Sequence, residues 1–187
     1  MTPFMSLVLP IVVSAVAVFV LTMIIHMTPW HRGDYVRLPD EDGVMKALRP
    51  FNVPPNDYMV PHPGTGDYMK SPEYDAKRDA GPVMVLTVAP SGPWKIGKMM
   101  GLWFLFTVVV SASVACVVGT IVPPRADTHH MVFHHVAVIA FLTYAMGAFP
   151  LSIWYHRKWS TTFKTAFDSL LYALATGWIF SMMWPKI

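Results

Sequence analysis

Four of the eight histidines fall within seven residues, His129-His130-Met131-Val132-Phe133-His134-His135. Pro123-Pro124 stops the apolar stretch before them, and Asp127 or Thr128 stands where a helix N-cap belongs. On a helix starting there, His130 and His134 are four residues apart and share a face, with Asp127 three residues before His130 on the same side. Two imidazoles and a carboxylate form a donor set for zinc, iron or copper, and His129 and His135 are further candidate ligands. The same pattern also suits half-polar rings at the headgroup level of a bilayer, side chains packed against a partner, or a pH sensor. The spacing permits a metal without requiring one.

A haem needs axial ligands, and two histidines would ordinarily come from different helices. His26 closes the first long apolar stretch and His156 closes the third, so they are the candidate pair. Each also stands among Trp30, His31, Arg157 and Trp159, the composition of an interfacial anchor. Asp168 is the one acid inside an apolar stretch, a position that is costly and often functional. A start of that helix near Thr165 places Asp168 in the first turn, where the helix dipole and Lys164 would satisfy it. Cys116 is the single cysteine, which excludes an intramolecular disulfide and a cysteine zinc cage. Gly-rich phosphate loops and nucleophile elbows are missing from the sequence. No complete catalytic set is visible, so enzymatic activity is not indicated, and no cofactor is required, a transition metal or haem being the candidates.

These residues must be positioned by membrane helices. The 187 residues are 54% hydrophobic and only 13% charged, about half the charged fraction of a soluble domain. A bilayer core of roughly 30 Å takes about 20 apolar residues as a helix. Four stretches qualify, Phe4 to Ile25, Met99 to Val122, Met131 to Tyr155 and Thr165 to Trp184, which predicts an all-α integral membrane protein of four spans. The first lacks a basic n-region and a small-residue cleavage site, so it is expected to stay as an anchor. Seven Lys and Arg flank the spans on one side, Arg32, Arg37, Lys95, Lys98, Arg157, Lys158 and Lys164, against Arg125 and Lys186 on the other. That asymmetry predicts both termini outside the cytoplasm and the long first connection inside it.

That connection, residues 26–98, carries eleven of the seventeen prolines, seven of the eleven glycines and eighteen of the twenty-five charges. Long regular elements are excluded from most of it. One short helix is expected at Pro39 to Arg49, with Asp40-Glu41-Asp42 at its start, and one strand at Val83 to Val88. Between them Tyr58, Tyr68 and Tyr74 alternate with prolines, as in an extended strap lying on the membrane or on a partner. Within the spans, Ser111, Ala115 and Gly119 recur every four residues, as do Ser169, Ala173, Gly177 and Ser181. Small residues at this interval let membrane helices approach closely.

Pro54-Pro55, Tyr58, Pro61, Met69-Lys70-Ser71-Pro72-Glu73, Gly81-Pro82-Val83 and Val88-Ala89-Pro90 resemble an uncharacterised family of small multi-spanning bacterial inner-membrane proteins. The resemblance continues through Ser152-Ile153-Trp154, Trp159-Ser160, Asp168, Tyr172-Ala173-Leu174 and Trp184-Pro185. That family has no assigned activity, so the resemblance implies architecture and no catalytic residue. The expected function is a non-catalytic accessory or assembly subunit of a larger inner-membrane complex, respiratory or photosynthetic. The alternative is a metal- or haem-binding membrane redox protein using the 129–135 cluster, and the second alternative a small transporter or channel. Expected partners are the bilayer and other membrane subunits, not nucleic acid, since fourteen basic residues face eleven acidic ones without a basic run.

Overall fold

The computed structural model describes residues 2–124 and 128–186 and divides into two units, Met1–Tyr35 with Lys95–Ile187, and Val36–Trp94. In the first unit four helical stretches are long and apolar enough to cross a bilayer: Phe4–Met27, Ile96–Ile121, His129–Trp154 and Trp159–Met183. The shortest has 24 residues, about 36 Å at 1.5 Å per residue, against a hydrocarbon core of about 30 Å. The chain is thus mostly helical and fits a multi-pass membrane protein.

Helix α1 (Val8–Met27) follows a short 3-10 turn at Phe4–Leu7. Its buried positions Ile11, Ser14, Ala15 and Val18, continuing from Leu7 in that turn, recur at helical spacing, while Leu9, Val12, Val16 and Val20 point outward. Outward apolar side chains are what a lipid solvent selects, so the inner face is distinguished by small size and hydroxyls rather than by hydrophobicity. Helix α4 (Ile96–Ile121) meets α1 through this face: the Ser14 and Ser111 hydroxyls are hydrogen-bonded at 3.1 Å, and the Thr107 hydroxyl donates to the Ala15 carbonyl at 3.3 Å.

The third stretch is not one helix. It is α5 (His129–Ala145), a 3-10 turn at Met146–Ala148 and α6 (Phe149–Trp154). Pro150 has no N–H for the Met146 carbonyl and its ring crowds that oxygen, so the α-helical ladder is interrupted just before it. The last helix, α7 (Trp159–Met183), packs most extensively on α5 and also against α1.

All seven small residues of the two four-residue repeats are buried. A Cβ on Gly177 would lie 3.0 Å from the Phe133 carbonyl oxygen and 3.1 Å from the Ala137 Cβ, so α5 rests on the bare backbone of α7. A Cβ on Gly119 would come within 3.3 Å of Leu7 and of the Thr2 carbonyl. At that end the Thr2 amide and hydroxyl donate to the carbonyls of Gly119 and Val122, serving acceptors that the end of α4 leaves open.

The unit Val36–Trp94 has more structure than an extended strap with one helix and one strand. Helix α2 (Glu41–Leu48) is capped by Asp40, which accepts from the Gly43 amide at 2.9 Å. Strand β1 (Asn56–Val60) pairs antiparallel with β2 (Met84–Val88), with Tyr58 opposite Leu86. Between the strands lies α3 (Pro72–Ala80). Ser71 caps it by accepting from the Tyr74 amide, Pro72 takes its first position, and Gly81 at φ 57° ends it. Ser-Pro-Glu followed by Lys77-Arg78 and a glycine is a helix signature that the surrounding prolines obscured. Strand β1 was illegible for another reason: its partner lies nearly thirty residues downstream.

Candidate functional site

The site begins where α1 stops. Thr28 turns extended at ψ 164°, its hydroxyl accepts from the Trp30 amide, and Pro29–His31 form a 3-10 turn. A further turn, closed by the Asp34 amide donating to the His31 carbonyl at 3.1 Å, brings Asp34 beneath the imidazole. Opposite stands α7, on which Lys164 and Asp168 are four residues apart and share a face.

The two elements lock through side chains. The His31 Nδ1 lies 2.6 Å from Asp34 Oδ2, and its Nε2 lies 2.8 Å from Asp168 Oδ2. The Trp30 indole N–H donates to the other Asp168 oxygen at 3.2 Å. The Lys164 ammonium donates to Asp34 Oδ1 at 2.8 Å and to the Trp30 carbonyl at 2.6 Å. The His26 ring stacks on His31, with centroids 4.5 Å apart and planes 17° from parallel.

Ionised carboxylates only accept, so a ring nitrogen of His31 that faces one donates its hydrogen to it. His31 and Lys164 are thus paired with Asp34 and Asp168 in a closed set of four side chains. Burial of Asp34 disfavours its charge, but hydrogen bonds from Lys164 and His31, helped by their charges, outweigh that and hold its carboxyl below the ordinary aspartate range.

This arrangement corrects the expectation for Asp168. Helix α7 begins at Trp159, not near Thr165, so Asp168 is nine residues inside it and beyond the reach of the helix terminus. Residues 159–164 are too polar to register as membrane-spanning, yet nothing in them breaks a helix. Lys164 is the counter-ion of Asp34, and Asp168, only 4% exposed, is satisfied by His31 and Trp30 instead.

Beside the cluster, between α1, α4, α5 and α7, is a cavity of about 930 Å³. Met23, Ile96, Met99, Met100 and Phe106 supply apolar wall, and His31, Asp34, Asp168, Tyr172 and Arg157 supply polar wall. Trp103, Phe106, Tyr144 and Tyr172 form a closed circuit of ring contacts, with successive centroids 5.4, 5.9, 5.6 and 6.5 Å apart. Two polar atoms of this circuit, Trp103 Nε1 and Tyr144 Oη, are shut off from solvent and have no hydrogen-bond partner. The only other such side-chain atom among the described residues is Thr161 Oγ1, which is not in the cavity wall.

The histidines singled out by spacing do not gather in this way. His129 and His130 line a second cavity of about 520 Å³ with Phe133, Trp178 and Lys186. His135 donates from Nδ1 to the Met131 carbonyl at 2.7 Å, and its ring meets that of His134 edge-on. Asp127 lies outside the described residues. Among the described residues no three His, Cys, Asp or Glu side chains are placed to share a metal ion. Of the candidate haem pair, His26 donates from Nδ1 to the Thr22 carbonyl and stacks on His31. His156 is exposed at φ 54° and is absent from the cavity wall, where its neighbour Arg157 stands.

His31 and Asp34 escaped the sequence reading, as did the aromatic circuit. The available signal was His-x-x-Asp directly after a helix-ending Thr-Pro, facing a Lys-x-x-x-Asp face elsewhere. No family model, curated protein or solved structure matches this chain.

Proposed function

We propose that the chain is a non-catalytic accessory subunit of a larger bacterial inner-membrane complex, respiratory or photosynthetic, that holds a small lipophilic molecule in the 930 Å³ cavity. The observation that carries the subunit reading is the surface of the unit Val36–Trp94, where Val36, Phe51 and Trp94 are 82%, 73% and 72% exposed. Side chains of this size gain most from being covered by another protein. The non-catalytic reading is supported by the cluster at the end of α1, where His31, Asp34, Asp168 and Lys164 are engaged with one another and not held ready for a substrate. An apolar cavity of this size beside a few polar groups is the usual form of a small-molecule site. The Lys and Arg asymmetry supports placing the Val36–Trp94 unit in the cytoplasm, and the family resemblance supports a bacterial inner membrane.

Gentle detergent extraction of native membranes followed by native electrophoresis and peptide identification tests the subunit reading. The expected result is a discrete assembly, of constant stoichiometry, containing this chain together with a redox subunit. Migration as a lone 21.0 kDa chain would overturn it.

A further inference from the structure

We propose that the molecule held in the cavity is a single-chain fatty acid, its carboxylate bound by Arg157 and its chain laid along α4. This rests on the reading of the cavity as a lipophile site and adds its chemical class.

The first argument is shape. Ile96, Met99, Met100, Trp103 and Phe106 stand at positions i, i+3, i+4, i+7 and i+10 of α4, one face of the helix over about 15 Å. On α7, Thr165, Asp168, Ser169 and Tyr172 repeat that spacing over about 10 Å. The cavity therefore runs along the helix axes, a form that suits an extended chain better than a compact ring. One turn beyond Asp168 the circuit of Trp103, Phe106, Tyr144 and Tyr172 forms its inner end. Because Trp103 Nε1 and Tyr144 Oη are shut off from solvent, those two side chains offer ring carbon to an occupant. Met23, Met99 and Met100 add flexible thioethers, which adapt to a chain of many rotamers.

The second argument is charge. Asp34 and Asp168 are turned to His31, Lys164 and Trp30, and their side chains are only 7% and 5% exposed. Arg157, also in the wall, is partly exposed, and its guanidinium nitrogens are open to solvent and without a partner among the described residues. A guanidinium matches a carboxylate through two parallel hydrogen bonds. A cationic head would be repelled there, and a neutral one would leave the charge uncompensated. Arg157 follows the end of α6, two residues before α7 begins, so the head stays at the surface end of the spans while the chain runs inward. The volume of about 930 Å³ falls within the roughly 300–1,000 Å³ of a site for one small ligand, which favours a single-chain acid over a two-chain phospholipid.

The test uses the purified full-length protein in phosphatidylcholine nanodiscs and alkaline buffer, where the acid is ionised. Dodecanoate, dodecanol and dodecyltrimethylammonium are each titrated by equilibrium dialysis against protein-free nanodiscs, and phosphatidylglycerol is added as a competitor. Expected is saturable binding of one dodecanoate per chain, with dodecanol and the ammonium compound about 10-fold weaker or more, the size of a charge-assisted hydrogen bond. Arg157→Gln should weaken dodecanoate by a similar factor and leave dodecanol unchanged, Arg157→Lys should restore part of the loss, and Arg32→Gln, an exposed cation outside the wall, should change nothing.

The comparison of the three ligands on the unaltered protein decides the matter should an Arg157 variant fail to fold. Equal binding of dodecanoate and dodecanol, or equal losses in Arg157→Gln and Arg32→Gln, overturns the carboxylate assignment and leaves the lipophile reading standing. Displacement by phosphatidylglycerol at a lower concentration than by unlabelled dodecanoate overturns the single-chain acid in favour of a phospholipid. Saturable binding of none of the ligands removes both readings.

Discussion

His31 carries more of the site than any other residue, since each of its ring nitrogens faces a different carboxylate, one on its own turn and one on α7. Its removal leaves Asp168, 4% exposed, with the Trp30 indole as its remaining hydrogen-bond partner. His31→Ala should therefore lower stability by about 3 kcal/mol, the cost of stranding one partner of a buried ion pair. Unfolding in detergent measures this, and a loss below about 1 kcal/mol would show that the cluster is loosely held. Asp34 adds a pH dependence whose sign is fixed by its depressed folded pKa. Its contribution is complete above the unfolded value, near pH 4, and is lost as the pH falls through the lower folded value. Acid titration should loosen the native protein below about pH 4, and Asp34→Asn should flatten that part of the profile while lowering stability at neutral pH.

At the scale of elements, the contact between α5 and α7 depends on what is missing from α7. Gly177 admits the Phe133 carbonyl to 3.0 Å of where a Cβ would be. Gly177→Val must push the helices apart, and overpacking of this kind costs about 1–3 kcal/mol. Gly101 on α4 has nothing within 4 Å of a built Cβ. Gly101→Ala should leave the melting temperature unchanged or slightly raised, since alanine favours a helix over glycine, so a fall seen for Gly177→Val in the same detergent reads the packing. The four-residue interval of small residues was legible in the sequence because it is local to one helix. The partner of each stripe was not, since nothing in the Ser169-to-Ser181 repeat specifies Phe133 and Ala137. The same distinction holds in the Val36–Trp94 unit. Helix α3 had its cap, proline and terminal glycine in the sequence, whereas β1 exists through pairing with distant β2.

For the whole molecule, the proposal that the Val36–Trp94 unit lies in the cytoplasm rests on the count of Lys and Arg beside the spans, and thiol labelling checks it. In a Cys116→Ser background, Gly66→Cys should resist a membrane-impermeant reagent in intact spheroplasts and react once they are permeabilised. Labelling of intact spheroplasts would reverse the orientation. The four apolar stretches could be read directly from the chain, because transfer into hydrocarbon depends on composition over about 20 residues and on little else. The concentration of charge in residues 26–98 could be read in the same way. Tertiary structure alone decided which polar residues meet. The dense run 129–135 stays spread along one helix, because neighbours on a helix radiate around its axis. The functional candidates instead come from α1, the turn after it, α4, α5 and α7, with Trp30 and its partner Asp168 lying 138 positions apart. Convergence of that kind depends on how helices pack and leaves no periodicity in the sequence.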